Sequence, residues 1–456
     1  MNSLIRLLLL PIALLSAAAG AATTHEFTLD NGLKLIVRED RRAPVATVQV
    51  WYRVGSSYEP DGQTGISHVL EHMMFKGTPN HGPGEYSRIL SANGAEENAF
   101  TSRDYTGYYA TLASDRIEIA MELEADRMRH LLLLPDEFAK ELEVVKEERR
   151  LRTEDRPRSL TYEQFNAVAY RSLPYRNPVI GWMSDLEQMT GSDLRAWYER
   201  WYAPSNATLV VVGDVDAQQM LALAQKHFGP LAAQPPPPMR RAGEPKPKGT
   251  TRVTVRVPAR QPYLMMGYKT PVVGDAPEPW EPYALEVLSS ILDGGDSARL
   301  PARLVRGDRV ASSAGADYSA YGRLPSMIVL DGTPAEDRSI VEVEAALRAE
   351  VEHLKSEPVD PAELERVINQ LVAGKVYERD SLMAQAMRIG SMEALGLGWR
   401  LSDEEVERIR AVTAEQVQAV ARKYLIDDRL TVAVLEPQPM AQGTTARADG
   451  GNTHAH

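Results

Sequence analysis

The pattern of apolar and polar residues along the chain predicts strands and amphipathic helices in two successive sets. Six short runs are rich in β-branched and aliphatic residues, which is typical of buried strands. They are residues 33–37, 46–52 and 208–212 in the first set and 252–257, 263–268 and 430–434 in the second. Helical patterns fill the middle of each set. We therefore expect an α+β fold of two α/β halves, each a mixed, mostly antiparallel sheet flanked by helices.

The two sets end with the same order of elements, which indicates a duplication. In each set a threonine that can cap a helix precedes an amphipathic helix, a turn and a β-branched strand. The threonines are Thr190 and Thr413, and the turns contain Pro204 and Asp427. We therefore interpret the second set as a repeat of the first.

A proline-rich segment separates the two sets. Pro235 to Pro238 are consecutive prolines, and further prolines and lysines follow up to Lys248. This composition favours an extended connector over a helix or a sheet. The predicted division is a first half at 23–230, a linker at 231–250, a homologous second half at 251–438 and a disordered tail at 439–456.

The first 22 residues have the order of regions found in secretory signal peptides. Arg6 precedes a short apolar run, Leu7 to Leu15, and small residues follow up to Ala22. The run is shorter than the ~20 residues that cross a bilayer. We expect residues 1–22 to be cleaved, the protein to be exported to the periplasm, and no segment to span the membrane.

The composition restricts the chemistry that the chain can perform. The 456 residues include no cysteine, so a metal must be held by His, Asp or Glu. The net charge of −12 argues against a general nucleic-acid binder, since neutralising phosphates requires a basic surface.

The segment from His68 to His72 carries the clearest chemical signal. On a helix these two histidines lie on one face and can bind one metal ion. Glu71 lies beside them and can take a proton from a water molecule that the metal activates. The order H-x-x-E-H is a zinc-protease motif. An apolar stripe on the opposite side is expected to pack on a sheet: Ile66, Val69, Leu70 and Met73.

A third ligand is expected from the helical segment 135–151. The other histidines are isolated, so a carboxylate is the better candidate. Glu141 and Glu148 are seven residues apart, beside a stripe predicted to be buried. The spacing alone leaves Glu148, Glu147 and Glu141 as competing candidates.

These residues resemble the pitrilysin/insulinase family of zinc metallopeptidases, in particular its short branch, which includes mitochondrial processing peptidase. The resemblance covers nearly the whole mature chain. It rests on His68 to His72 with Met74 to Thr78 following, on Asn98-Ala99-Phe100-Thr101, and on Glu141 with Glu148. It implies one zinc ion per chain on His68, His72 and Glu148, with Glu141 as an outer carboxylate that orients a ligand or supports the base.

The resemblance also implies an activity. Zinc-activated water, with Glu71 as general base, would hydrolyse peptides or unfolded polypeptide segments. Asn98, Ala99, Phe100 and Thr101 would form an edge strand on which an extended peptide adds as a further strand. The alternative is a catalytically inactive member that serves as a scaffold or assembly subunit, although His68, Glu71 and His72 are intact.

One departure from the family concerns the second half. The family places an Arg and a Tyr seven residues apart there, in contact with substrate, whereas the matching positions carry Val305 and Ser312. Tyr318 and Tyr321 lie further along and are weak substitutes. We therefore expect a heterodimer with a metal-less paralogue that supplies the Arg/Tyr pair; a homodimer is the alternative.

Overall fold

The computed structural model describes residues 23–235, 238, 243–246 and 248–440. The predicted signal peptide and residues 441–456 of the predicted tail lie outside these ranges. None of the helices in the described part of the chain has the length and apolar character needed to cross a membrane.

The first half contains six strands and eight helices among the described residues. The strands are β1 (Thr23–Thr28), β2 (Lys34–Glu39), β3 (Val45–Tyr52), β4 (Glu96–Thr101), β5 (Thr106–Ala113) and β6 (Ala207–Gly213). The helices are α1 (Ile66–Met73), α2 (Glu85–Ala92), α3 (Ile117–His130), α4 (Pro135–Arg149), α5 (Pro157–Ala169), α6 (Met183–Leu186), α7 (Gly191–Trp201) and α8 (Ala217–His227).

The second half contains five strands and six helices among the described residues. The strands are β7 (Thr251–Pro258), β8 (Tyr263–Thr270), β9 (Ala311–Asp317), β10 (Ser326–Pro334) and β11 (Leu430–Gln438). The helices are α9 (Glu281–Asp293), α10 (Ile340–Ser356), α11 (Pro361–Glu378), α12 (Leu382–Ala394), α13 (Leu401–Arg410) and α14 (Ala414–Tyr424). Two segments are π-helical: Arg150–Glu154 and Leu300–Gly307.

The two sheets have matching strand orders, which confirms the predicted duplicated α+β fold. The first sheet runs β1-β2-β6-β3-β5-β4 and the second runs β7-β11-β8-β10-β9. Each contains one parallel pair, β2 with β6 and β7 with β11, and the other pairs are antiparallel. Only β1 lacks a counterpart. The exact domain limits stay a prediction.

The ends of the two halves show the same local chemistry. Thr190 before α7 and Thr413 before α14 each form a capping box with the third helical residue. The reciprocal hydrogen bonds satisfy amide groups that a helix start leaves unpaired. The sequence predicted both caps.

One helix of each half packs against the sheet of the other half. Helix α5 of the first half packs on β11 and β7, and helix α12 of the second half packs on β6 and β3. Phe165 of α5 sits against Gly267, and Trp51 of β3 sits against Gly390 of α12, where a Cβ atom on either glycine would clash with the ring. This exchange covers the second face of both sheets and fixes the two halves together.

Candidate functional site

Helix α1 starts where the backbone makes a turn that glycine favours. Gly65, the N-cap residue, has a φ of +86°, and it lies so close to Gly181 that neither has room for a Cβ atom. The buried Glu59 carboxylate accepts hydrogen bonds from the backbone N–H groups of Gly65 and Ser67, both 2.8 Å long. These contacts satisfy amide groups at the helix start, where a negative charge is also favourable.

The apolar face of α1 packs into the core of the first half, as the sequence predicted. Its four members, Ile66, Val69, Leu70 and Met73, are fully buried. The opposite face carries His68, Glu71 and His72, which are only partly buried. The helix therefore presents these polar side chains on the side opposite its apolar stripe.

Helix α4 brings a carboxylate to this polar face. Leu142 and Val145 are buried, and helix α4 packs against helix α1. Glu141 and Glu148 lie beside the buried residues and face the histidines. Glu147 is 58% exposed and pairs with Arg150 instead, so it is not part of this cluster.

The side chains of His68, His72 and Glu148 converge. One ligand atom from each lies within 4.8 Å of the others, and this is the one group of three or more such side chains in the described ranges. Glu148 Oε2 lies 3.8 Å from His68 Nε2 and 3.5 Å from His72 Nε2. Ligands bound tetrahedrally to zinc at ~2.0–2.1 Å are about 3.3 Å apart. Two imidazoles and one carboxylate at these separations fit a zinc ion.

The second oxygen of Glu148 pairs with a cation. Arg152 Nη1 lies 2.6 Å from Glu148 Oε1, in the π-helical segment that follows α4. Burial raises the pKa of Glu148, but the hydrogen bond with His72 and the charges of His68 and Arg152 outweigh it and lower the pKa to about 2. Glu148 is therefore ionised at neutral pH, as a metal ligand must be.

Glu141 contacts the other side of the His72 ring. Its Oε2 lies 3.2 Å from His72 Nδ1, and its Oε1 lies 2.7 Å from Lys76 Nζ. Because a carboxylate only accepts hydrogen bonds, Nδ1 is the donor in this contact, and Nε2 is the ring nitrogen that faces Glu148 and could bind a metal. Glu141 thus occupies the outer position that the resemblance implies.

Glu71 is held by a residue of strand β4. Thr101 Oγ1 donates a hydrogen bond of 2.5 Å to Glu71 Oε2. Burial raises the pKa of Glu71 above its usual value, although the Thr101 hydrogen bond and the charge of His72 oppose this. A carboxylate with a raised pKa is suited to exchanging protons near neutral pH.

The predicted substrate strand is β4, at the edge of the first sheet. The exposed Asn98 uses its Oδ1 to accept a hydrogen bond from the Ala99 N–H, 2.9 Å long. Phe100 lies on the same face of β4 as Asn98, where its ring packs against Trp51. Asn98 and Ala99 are therefore placed where a peptide could reach them, whereas the Thr101 side chain contacts Glu71.

The hydroxyls of Tyr318 and Tyr321, the two candidate substitutes in the second half, are both hydrogen-bonded within that half. Tyr318 donates to the Pro271 carbonyl over 2.6 Å, and Tyr321 donates to Glu405 over 2.9 Å. Ser312 donates to the carbonyls of Thr333 and Pro334. The two tyrosines that could replace the family's substrate-contacting tyrosine therefore donate their hydroxyl protons to other groups of the second half.

The sequence reasoning did not assign roles to Arg152, Lys76 or the Thr101 hydroxyl. Arg152 follows Glu148 by four residues and Lys76 follows His72 by four, a spacing typical of helical neighbours. That spacing could have suggested the pair of Arg152 with Glu148, whereas Lys76 lies beyond the end of α1 and pairs with Glu141 of α4. The hydrogen bond from Thr101 to Glu71 joins a strand to a helix, and no spacing pattern in the sequence indicates it.

Two family profiles match the chain. The profile described as Insulinase (Peptidase family M16) matches residues 34–182, which include the whole cluster. The profile described as Peptidase M16 inactive domain matches residues 188–371. The second profile begins before α7, so it includes α7 and strand β6 of the first sheet in addition to much of the second half.

Known proteins and structures align with most of the chain. It is 35% identical over 359 residues to zinc protease PqqE of Helicobacter pylori, covering 76% of this chain and 78% of that protein. It is 27% identical over 424 residues to the mitochondrial-processing peptidase subunit beta of Lentinula edodes, covering 90% and 89%. The crystal structure of a protease from Helicobacter pylori gives a TM-score of 0.87 at 29% identity, covering 91% of this chain and 100% of that one.

Proposed function

We propose that this chain, which belongs to the insulinase family of peptidases (family M16), is a zinc-dependent endopeptidase that hydrolyses peptides or unfolded polypeptide segments. The observation that carries the proposal is the convergence of His68, His72 and Glu148 beside a partly buried Glu71. Each group that metal-assisted hydrolysis requires lies on α1 or α4.

The side chains have distinct roles in this mechanism. His68, His72 and Glu148 would hold zinc, which would act as a Lewis acid on the attacking water and the scissile carbonyl. Glu71 takes the proton of the attacking water and then delivers it to the leaving amine. Glu141 fixes the His72 ring through Nδ1 and so keeps Nε2 directed at the metal position.

Substrate binding along strand β4 explains a preference for unfolded chains. The Asn98 side chain accepts from the Ala99 N–H, so an incoming peptide exchanges this bond for one to its own carbonyl. A folded domain cannot offer a free extended segment to this edge. Asn98, Ala99 and Phe100 are thus proposed to bind peptide through the backbone of β4.

The working unit is proposed to be a heterodimer with a metal-less paralogue that supplies an Arg/Tyr pair. The internal hydrogen bonds of Tyr318 and Tyr321 support this, because they leave the second half without the family's substrate contacts. A homodimer is the alternative. A single polypeptide species, purified natively and retaining full activity, would contradict the heterodimer.

The site of action is proposed to be the periplasm. The proposal rests on the signal-peptide pattern of residues 1–22, which lie outside the described ranges. Fractionation of cells that express the full chain, with N-terminal sequencing of the mature protein, tests it.

The Glu71→Gln variant tests the catalytic assignment. We expect it to retain zinc and to lose roughly 100- to 10,000-fold in kcat on a quenched peptide mixture, because the amide cannot accept the proton. The matched control is Glu147→Gln, on the exposed side of α4, which should behave as wild type.

Three outcomes would change the proposal. Cleavage by Glu71→Gln at the wild-type rate would contradict the role of Glu71 as general base. A wild-type protein that binds no zinc would contradict the whole assignment. A wild-type protein that binds zinc, together with its partner, and cleaves no peptide would favour the scaffold function.

A further inference from the structure

We infer that Thr101 is a positioning residue for Glu71, its hydroxyl orienting the catalytic carboxylate instead of contacting the peptide. This inference rests on the proposed function, since it requires Glu71 to be the general base. It gives a side chain of the predicted substrate strand a role in the chemical step.

The burial of the strand supports this assignment. Alternate residues of β4 face opposite sides, and Ala99 and Thr101 share the side that packs toward the core of the first half. Thr101 is only 3% exposed, and its hydroxyl has a single proton, which goes to Glu71 Oε2. A buried hydroxyl that has committed its proton cannot also donate to a peptide.

The position of the hydroxyl is fixed by the sheet. Thr101 pairs with Thr106 of β5, and the next residue, Ser102, donates from its backbone N–H to the Tyr105 carbonyl over 2.8 Å. Because threonine is β-branched, its χ1 angle is restricted on a strand. The sheet therefore holds a preoriented donor against a carboxylate carried by a separate element, helix α1.

The contact has a direct consequence for the reaction. Oε2 of Glu71 accepts the hydrogen bond from Thr101, and this bond restricts rotation of the carboxylate. The other oxygen, Oε1, is therefore the one that takes the proton of the attacking water. General-base catalysis depends on such alignment, because small displacements of a reacting group slow the reaction. Loss of the hydroxyl should therefore lower kcat and leave KM and zinc content unchanged.

The experiment compares Thr101→Val and Thr101→Ser with wild type in the zinc-loaded mature protein, together with any partner that co-purifies. We expect Thr101→Val to lose roughly 10- to 100-fold in kcat, the range for a lost hydrogen bond to a charged group, with KM within about 2-fold. Thr101→Ser restores the donor and should recover most of the activity. If the valine variant does not fold, Thr101→Ser against Thr101→Ala gives the same comparison, since they differ only by the hydroxyl oxygen.

Two further measurements separate positioning from substrate binding. In a Glu71→Gln background, where peptide stays uncleaved, Thr101→Val should leave the Kd of a fluorescent peptide unchanged. The double variant should be no slower than Glu71→Gln alone, because the hydroxyl acts only through the carboxylate. Thr111→Val is the matched control, because Thr111 on β5 carries a buried hydroxyl with no hydrogen-bond partner and lies away from Glu71.

The possible results are distinct. A wild-type kcat for Thr101→Val, or a peptide Kd weakened several-fold in the Glu71→Gln background, would overturn the inference. Loss of zinc from Thr101→Val would also overturn it. If Glu71→Gln itself is fully active, the proposed function fails; if only Thr101→Val is, the positioning role alone fails.

Discussion

The two halves share a strand order, yet the helices at equivalent positions are used differently. Helix α1 follows β3, and it buries one face while His68, Glu71 and His72 stay only partly covered. Helix α9 follows β8, the counterpart of β3, and is covered on nearly all sides. A duplicated scaffold therefore becomes a site only where a helix leaves one face open.

The charged groups of the two halves show the same contrast. In the second half Glu286 and Glu405 face Lys375 and Arg388, so carboxylates and cations balance. Around the histidines of the first half, Glu71, Glu141 and Glu148 outnumber Lys76 and Arg152. A cluster whose carboxylate and cation charges balance does not require a further ion, whereas an excess of negative charge beside two imidazoles favours a divalent cation.

The largest effect is expected from removing a ligand of the first half. Glu148→Gln removes the carboxylate whose Oε2 lies near the Nε2 atoms of both His68 and His72. Loss of an outer partner costs roughly 10- to 100-fold in metal affinity, so a direct ligand should cost about 1,000-fold, which is about 4 kcal/mol. Competition with a zinc chelator measures this, and Glu147→Gln is the control. If the zinc affinity did not change, Glu148 would not be a ligand, and the proposed difference between the first half and the second half would be wrong.

A second variant tests the structural role of the charges in the second half. Glu405 is 3% exposed and faces Lys375 at 3.0 Å, together with Arg388 and the Tyr321 hydroxyl. Glu405→Gln leaves Arg388 without its carboxylate partner and leaves Lys375 to Glu286, 3.6 Å away, so it should lower the free energy of unfolding by about 3 kcal/mol. Urea denaturation measures the loss.

The control for this variant is Glu436→Gln, whose pair with Arg256 is exposed and should contribute only ~0–1 kcal/mol. Zinc affinity should be unchanged in both variants. If Glu405→Gln weakened zinc binding as strongly as Glu148→Gln, the division of roles between the halves would be wrong.

The sequence predicted the features that depend on local pattern. Runs of β-branched residues marked β2, β3, β6, β7, β8 and β11, and the capping threonines marked α7 and α14. The apolar stripe of α1 placed His68, Glu71 and His72 on the outer face. Spacing along α4 left Glu148, Glu147 and Glu141 open, because three carboxylates on one helix look alike until the neighbouring helix is known.

Features that depend on tertiary packing could not be predicted in this way. Strand β1 was missed, because its sequence is short and largely polar. The exchange of α5 and α12 between the halves was also missed, since an amphipathic pattern says that a helix has a buried face but not which sheet covers it. The Thr101 contact with Glu71 likewise arises only when β4 and α1 pack together.

The smallest effect is expected where the linker joins the two halves. Glu244 accepts hydrogen bonds from the backbone N–H groups of Arg171 and Leu173 in the first half and pairs with Lys269 of β8 in the second. Burial raises the pKa of Glu244, but the hydrogen bonds from residues 171–172 and from Lys269 outweigh it and lower the pKa to about 2.

Because the pKa is lower in the folded than in the unfolded chain, the stabilisation from Glu244 is complete above about pH 4.5 and is lost as the pH falls toward 2. Wild type should therefore be slightly more stable to urea than Glu244→Gln at pH 6, and the difference should shrink by pH 3.5. A difference that stays constant over this range would show that the carboxylate charge does not link the halves. Since the proposed zinc ligands and the proposed general base all lie in the first half, peptide cleavage at pH 7 should be the same in both proteins.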